Sequence, residues 1–98
     1  MNFVGKYCIV CGRNSGIYVG TVSEHNGTEM LLKDARRIYY WSGAATIVQI
    51  AEEGVKRPKN TKFTMCVDEI GLFDVINVIP VTEKAQKSIE EIKEWKIK

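Results

Sequence analysis

KYCIVCGRNSGIYVGTVSEHNGTEMLLKDARRIYYW, residues 6–41, decides the fold. Between Lys6 and Arg13 the side chains Tyr7, Cys8, Ile9, Val10 and Cys11 leave no polar face, which predicts a strand covered on both sides. Arg13-Asn14-Ser15-Gly16 is a turn signal, and Ile17–Val22 resumes strand character, so residues 6–22 read as a hairpin. Gly20 inside the second strand predicts a bulge or a close backbone approach. His25-Asn26-Gly27 is the next turn, its Asn-Gly pair suited to positive φ angles. Thr28–Lys33 then reads as a third strand, Asp34-Ala35 as a break, and Arg36–Trp41 as a fourth, aromatic-rich strand.

Working outward, Ser42 reads as an N-cap and Gly43–Glu53 as a helix with Ala44, Ile47, Val48 and Ala51 on its buried stripe. Gly54 closes it as a C′ glycine, with Val55 positioned for the accompanying apolar contact. Lys56–Lys62 is a basic loop holding Pro58. Phe63–Asp68 and Leu72–Pro80 read as strands split by Glu69-Ile70-Gly71, with Pro80 at an edge or strand end. Thr82 caps a last helix from Glu83 to about Lys96, with Ala85, Ile89, Ile92 and Trp95 as its stripe. The expected order is ββββ-α-ββ-α: an α+β fold in which an antiparallel meander carries two helices packed on or beside it. Short connections and the lack of internal repeats make residues 1–98 one domain.

Composition narrows the function classes. A chain of 98 residues has a thin core, so a ligand site forms more readily in a surface groove or between subunits than in a deep pocket. A net charge of +2 argues against wholesale binding of a nucleic-acid backbone. No apolar run approaches the roughly 20 residues that span a bilayer, and the N-terminus lacks a signal-peptide core, so the expected location is the cytoplasm. Three cysteines, Cys8, Cys11 and Cys66, without a secretory signal predict free thiols. Cys8-x-x-Cys11 has zinc-like spacing, but positions i and i+3 of a strand face opposite ways, so no metal site is expected.

The densest polar and aromatic segment is Arg36-Arg37-Ile38-Tyr39-Tyr40-Trp41-Ser42-Gly43. Strand alternation puts Arg37, Tyr39 and Trp41 on one face, and Arg36, Ile38 and Tyr40 on the other. Two readings stand. The aromatics form the core with the arginines as a lid, or guanidinium forks hold phosphate while rings stack on a base and Ser42-Gly43 open an anion-friendly helix end. The Arg13-Asn14-Ser15-Gly16 loop has the polar groups and backbone access to hold a phosphate, or is simply a hairpin turn. No acid–base pair, activated nucleophile, P-loop or dinucleotide fingerprint is visible, so the chain reads as a binding module and not an enzyme, with no cofactor.

Leu32-Lys33-Asp34-Ala35-Arg36-Arg37-Ile38-Tyr39-Tyr40-Trp41-Ser42-Gly43-Ala44 resembles a segment of small phage and prophage proteins with the pattern Ala-Arg-Arg-aromatic-x-Trp-x-Gly-Ala. Arg13–Ile17 followed by Gly20, then Gly54-Val55-Lys56 and Ile76-Asn77-Val78-Ile79-Pro80, extend the similarity over residues 6–90. The pattern is similar to that of the first described Thoeris anti-defence family. The chain departs from it at Cys11-Gly12, where a polar pair is usual, and at Tyr39, where tryptophan is commoner. The resemblance implies a phage protein acting in the host cytoplasm as a sponge. It would sequester a cyclic ADP-ribose isomer, or a cyclic oligonucleotide, without cleaving it, and would assemble as a dimer or larger homo-oligomer. The matching positions Arg36–Gly43 and Arg13–Gly16 would then hold the ligand, with Arg36 and Arg37 on phosphates, Tyr39, Tyr40 or Trp41 on adenine, and Asn14 and Ser15 supplying polar contacts. The alternative is a module docking on a host protein or nucleic acid through Lys56–Lys62 and exposed aromatics.

Overall fold

The computed structural model describes residues 2–98. Strand β1 (Tyr7–Gly12) is apolar on both sides, and Cys8, Ile9 and Val10 are all fully buried. It sits in the middle of one antiparallel sheet, between β2 (Ile17–Asn26) and β6 (Val75–Pro80). Strand β3 (Glu29–Tyr40) follows β2 across a two-residue turn, Gly27–Thr28, in which Gly27 alone takes the positive φ. The far side of β3 pairs with β5 (Val67–Leu72) along its first half and with β4 (Lys62–Phe63) at its end. Strands β5 and β6 lie at opposite edges yet are joined by only Phe73–Asp74, so the sheet curls until those edges converge at that turn.

The curl creates two cores. On one face, α1 (Ile47–Glu53) and α2 (Glu83–Glu90) pack Ile50, Ala51 and Ile89 onto Ile9, Val19, Ile38 and Phe63. On the other, the sheet folds over Cys8, Val10, Met30, Leu32, Ala35 and Leu72. Both Cys8 and Cys11 obey the alternation, the first in the inner core and the second against the helical one. Each fully buried large side chain, Phe63 foremost, contributes about 1.5–3 kcal/mol through burial.

This is the expected small antiparallel α+β fold, with six strands and two helices, but the strands divide differently, as βββ-α-βββ-α. Residues 28–41 do not form two strands. Asp34 adopts φ +51° and kinks one continuous β3, an excursion that aspartate tolerates better than most residues. Opposite the kink, β2 slips register between Val19 and Thr21, and Gly20 is the residue that permits it. A Cβ there would lie 2.9 Å from the Lys33 carbonyl oxygen and 3.1 Å from the Ala35 Cα. Glu69-Ile70-Gly71 does not interrupt a strand either, since all three pair with β3 inside β5, and the turn falls at Phe73–Asp74.

Helix α1 begins four residues later than its sequence suggested. Gly43, at φ +85°, leaves the right-handed region, and the Trp41 indole donates to the Ala44 carbonyl, which holds residues 41–44 as a loop. Thr46 is the true N-cap, accepting from the Gln49 amide, while the Gln49 side chain reaches back to the Ala45 N–H. Val48 is therefore exposed rather than on the buried stripe. Gly54, at φ +85°, ends the helix as expected, with its N–H on the Ile50 carbonyl and Val55 buried beside it. Helix α2 has its Thr82 cap and buries Ala85 and Ile89, but stops at Glu90. The chain then turns to pair Glu94 with Phe63, which carries Trp95 off the helical stripe. No helix among the described residues is long and apolar enough to cross a membrane.

Candidate functional site

The two neighbouring arginines of β3 part company because strand alternation sends them to opposite faces. Arg36 goes under the helices and is only 7% exposed. Its Nε donates to the Thr64 carbonyl at 2.8 Å, Nη1 to that of Ile89 at 3.1 Å, and Nη2 to those of Phe63 and Lys93 at 3.4 Å each. The guanidinium also lies 5.3 Å from the Phe63 ring centroid. Burial lowers its pKa from the ordinary arginine value, a shift opposed by Tyr7, Cys66 and Glu94. Arg36 is thus a clamp tying β3 to β4 and to the end of α2, and the phosphate role expected of it falls away. It lines a cleft of about 340 Å³ whose other walls include Tyr7, Asp34, Glu90 and Glu94, an acidic surround unsuited to phosphate.

Arg37 points away from the helices and is exposed. Its guanidinium lies 5.9 Å from the ring centroids of both Tyr18, its cross-strand partner, and Tyr39, two residues along the same face. Beneath it is the Arg13–Gly16 turn. A Cβ on Gly16, which has φ +109°, would sit 2.9 Å from the guanidinium nitrogens, so glycine makes room for Arg37 as well as for the turn. Among the described residues no carboxylate pairs with Arg37.

The row continues beyond Tyr39, which is 57% exposed. Its ring stacks on Trp95, with centroids 4.9 Å apart and planes at 26°. The Lys62 ammonium lies 5.2 Å from the Trp95 centroid. Tyr18, Arg37, Tyr39, Trp95 and Lys62 therefore form a continuous ladder of three rings and two cations, each contact worth about 0.5–1 kcal/mol at an exposed site. Beside Trp95 opens a cleft of about 510 Å³, walled by Pro58, Lys59, Thr61, Glu91 and Lys93. That volume lies in the range of small-molecule sites.

The family described as a domain of unknown function (DUF6948) matches residues 5–89. The chain belongs to the DUF6948 family. No curated protein matches it. The match covers Tyr18, Arg37, Tyr39 and Lys62 of the ladder, while Trp95 lies beyond it.

The second expected site of this DUF6948 domain, the Arg13–Gly16 loop, is already occupied from within. Asp74, from the turn between β5 and β6, accepts from the Asn14 N–H at 2.7 Å, the Ser15 N–H at 3.0 Å and the Ser15 hydroxyl at 2.7 Å. The Tyr18 hydroxyl donates to the Ser15 carbonyl, and the Arg13 N–H to that of Asp74. The loop does bind an anion, but the anion is the domain's own carboxylate, so Asn14 and Ser15 do not have those donors free for a ligand. Gly12 is required here, since a Cβ would lie 2.6 Å from the Asp74 carboxylate.

Those N–H donors, the Asn14 amide foremost, hold the Asp74 carboxyl below its ordinary value of 3.8. A depressed carboxylate stabilises the fold above its unfolded-state pKa, and that contribution is lost as pH falls through the lower folded value. Acidification through that lower folded value should therefore release the loop. The check is the Asn14 and Ser15 amide NMR signals. They are expected to shift together in acid in the wild type, while Asp74→Asn shows the displaced positions already at neutral pH. Pinned signals in both proteins would rule out the carboxylate anchor.

The remaining expected residues scatter. Trp41 packs against the helical core instead of joining Tyr39, because a register slip between Ile38 and Tyr40, opposite β4, breaks the alternation. That slip also leaves Tyr40 exposed rather than in the core. The Ser42 N–H bonds the Thr61 hydroxyl, and a Cβ on Gly43 would meet the Arg57 backbone at 2.8 Å, so neither opens a helix terminus to an anion. Tyr18 and Trp95 are the ladder members that sequence reasoning missed as site residues, and Lys62 was named only in the alternative docking loop. The strand register pairing Tyr18 with Arg37 was the one available hint.

Proposed function

We propose that this domain captures a small nucleotide signal on the ladder and holds it without cleaving it, the activity its resemblance to the Thoeris anti-defence sponges implies. One observation carries the reading. Arg37 stands exposed between two tyrosine rings with no carboxylate partner among the described residues, and the ring row runs on to Trp95. A phosphate meets Arg37 through charge-assisted hydrogen bonds, and a base gains about 1–3 kcal/mol by stacking on an aromatic ring. Tight capture without turnover lowers the free signal as long as the protein is in excess. The place of action is the host cytoplasm, and a second copy packed against the open side of the ladder would complete the enclosure. Light scattering tests that last point through the molar mass.

Calorimetric titration with cyclic ADP-ribose isomers and cyclic oligonucleotides tests the capture. Release of an intact nucleotide on heating the complex supports sequestration, and recovery of breakdown products alone refutes it. Arg37→Ala should weaken binding about tenfold or more, a loss of about 1.4 kcal/mol, while unfolding stability stays within about 0.5 kcal/mol. Unchanged binding in that variant would remove Arg37 from the site.

A second reading has its own support. The ladder lies open along one surface, which suits a single-stranded nucleic acid or a partner protein as well as a small ligand. Binding of an oligonucleotide whose affinity falls steeply with salt would favour it.

A further inference from the structure

Strand β3 carries a second open surface, at the other end and on the other face from Arg37. Met30 and Leu32 are both buried in the inner core, so Leu31 between them faces the helical side. The register sets Glu24 of β2 and Gly71 of β5 on either side of Leu31, and Glu29 lies two residues along on the same face. The helices do not extend this far. They pack on Ile9, Val19, Ile38 and Phe63, and among the described residues no apolar side chain from 23–31 or 67–73 joins that core.

This bare stretch of sheet is apolar at its floor and acidic at its rim. Gly71 has no side chain, and the Phe73 ring lies beside the space a Cβ would take, with its Cε2 and Cζ 3.7 Å from that position. Phe73 is 73% exposed, more than any other aromatic among the described residues. Glu24, Glu29, Leu31, Gly71 and Phe73 line one shallow cleft of about 260 Å³. Both glutamates are exposed, and neither has an ion-pair partner among the described residues. In the next row Lys33 stands opposite Glu69, so three carboxylates face one ammonium across these rows.

We propose that this face docks a protein segment that presents an arginine side chain to the cleft. The charge decides the class of partner, because the carboxylates repel nucleic acid and anionic lipid and attract a cation. Arginine fits better than lysine. Its planar, weakly hydrated guanidinium lies on the Phe73 ring while its N–H fork reaches a carboxylate, and its stem covers Leu31. The proposal is independent of nucleotide capture, since the ladder lies on the opposite face of β3.

The probe is the capped tripeptide acetyl-Leu-Arg-Leu-amide, titrated into the full chain and followed by backbone amide NMR signals. Its twin carries citrulline, which keeps the planar head and loses the charge. The arginine peptide is expected to shift the amides of Glu24–Leu31 and Gly71–Phe73, and to bind about tenfold or more tightly than the citrulline peptide. Glu24→Gln combined with Glu29→Gln should abolish that preference, and Phe73→Ala should weaken the arginine peptide about tenfold. All three side chains are exposed, so these variants should keep the wild-type melting temperature. Equal binding of the two peptides, or amide shifts confined to other residues, would overturn the docking face. Shifts of the same amides on concentrating the protein without peptide would overturn it in favour of a second copy of the chain.

Discussion

Arg36→Met is expected to destabilise the folded chain by about 3 kcal/mol or more, because it removes a charged donor from four backbone carbonyls under the helices. Hydrogen bonds to charged groups contribute about 1.5–3 kcal/mol each in isolation, but the four share one desolvated guanidinium and do not add in full. Methionine keeps most of the apolar stem over Phe63, so the loss measures the bonds rather than the packing. Two of the carbonyls, those of Ile89 and Lys93, lie at the end of α2 or just beyond it, where a cation also favours the helix dipole. Urea unfolding is the measurement, and the midpoint should fall at constant slope. Arg37→Met is the matched control, with an expected change within about 0.5 kcal/mol. If the two variants unfolded at the same urea concentration, the division of labour between the adjacent arginines would be refuted.

The second large effect is expected at Gly20. A valine there drives its Cβ to 2.9 Å from the Lys33 carbonyl oxygen and 3.1 Å from the Ala35 Cα, and both are backbone atoms of a paired strand that cannot simply rotate away. Overpacking of this kind typically costs about 1–3 kcal/mol, and the branched side chain puts Gly20→Val at the upper end. Gly71→Val in β5 separates the clash from glycine chemistry in general. A Cβ at Gly71 meets nothing nearer than 3.7 Å, so that variant should be neutral or slightly stabilised, since valine suits a strand. Equal thermal shifts in the two variants would mean that the close approach at Gly20 carries no energetic weight.

The two sites contrast in how far the sequence announces them. Gly20 stood out because a glycine in a strand of β-branched and aromatic neighbours has little other reason to be there. The Arg36-Arg37 pair stood out as a cluster, but alternation assigns opposite faces without saying which face is solvent. Residue type was equally silent on the Arg13–Gly16 loop. Its donors had the look of an anion site, yet the carboxylate that takes them comes from Asp74, about sixty positions away in sequence. Trp95 matched a helical stripe so well that only the pairing of Glu94 with Phe63 shows why it leaves the helix.

From the sequence by itself follow the α+β class, the doubly buried first strand, the Gly27 turn, the Thr82 and Gly54 caps and the slip at Gly20. Each of these rests on a preference that acts within a few residues: alternation, helical spacing, a hydroxyl near an orphan N–H, or a glycine free to take a positive φ. Only the tertiary structure decided that β3 runs unbroken through Asp34, that Arg36 is sealed under the helices while Arg37 faces out, and that Tyr18, Tyr39, Trp95 and Lys62 join it in one row. Those outcomes depend on which partners arrive from distant parts of the chain to take each donor, and a local pattern does not encode the identity of a partner still to come.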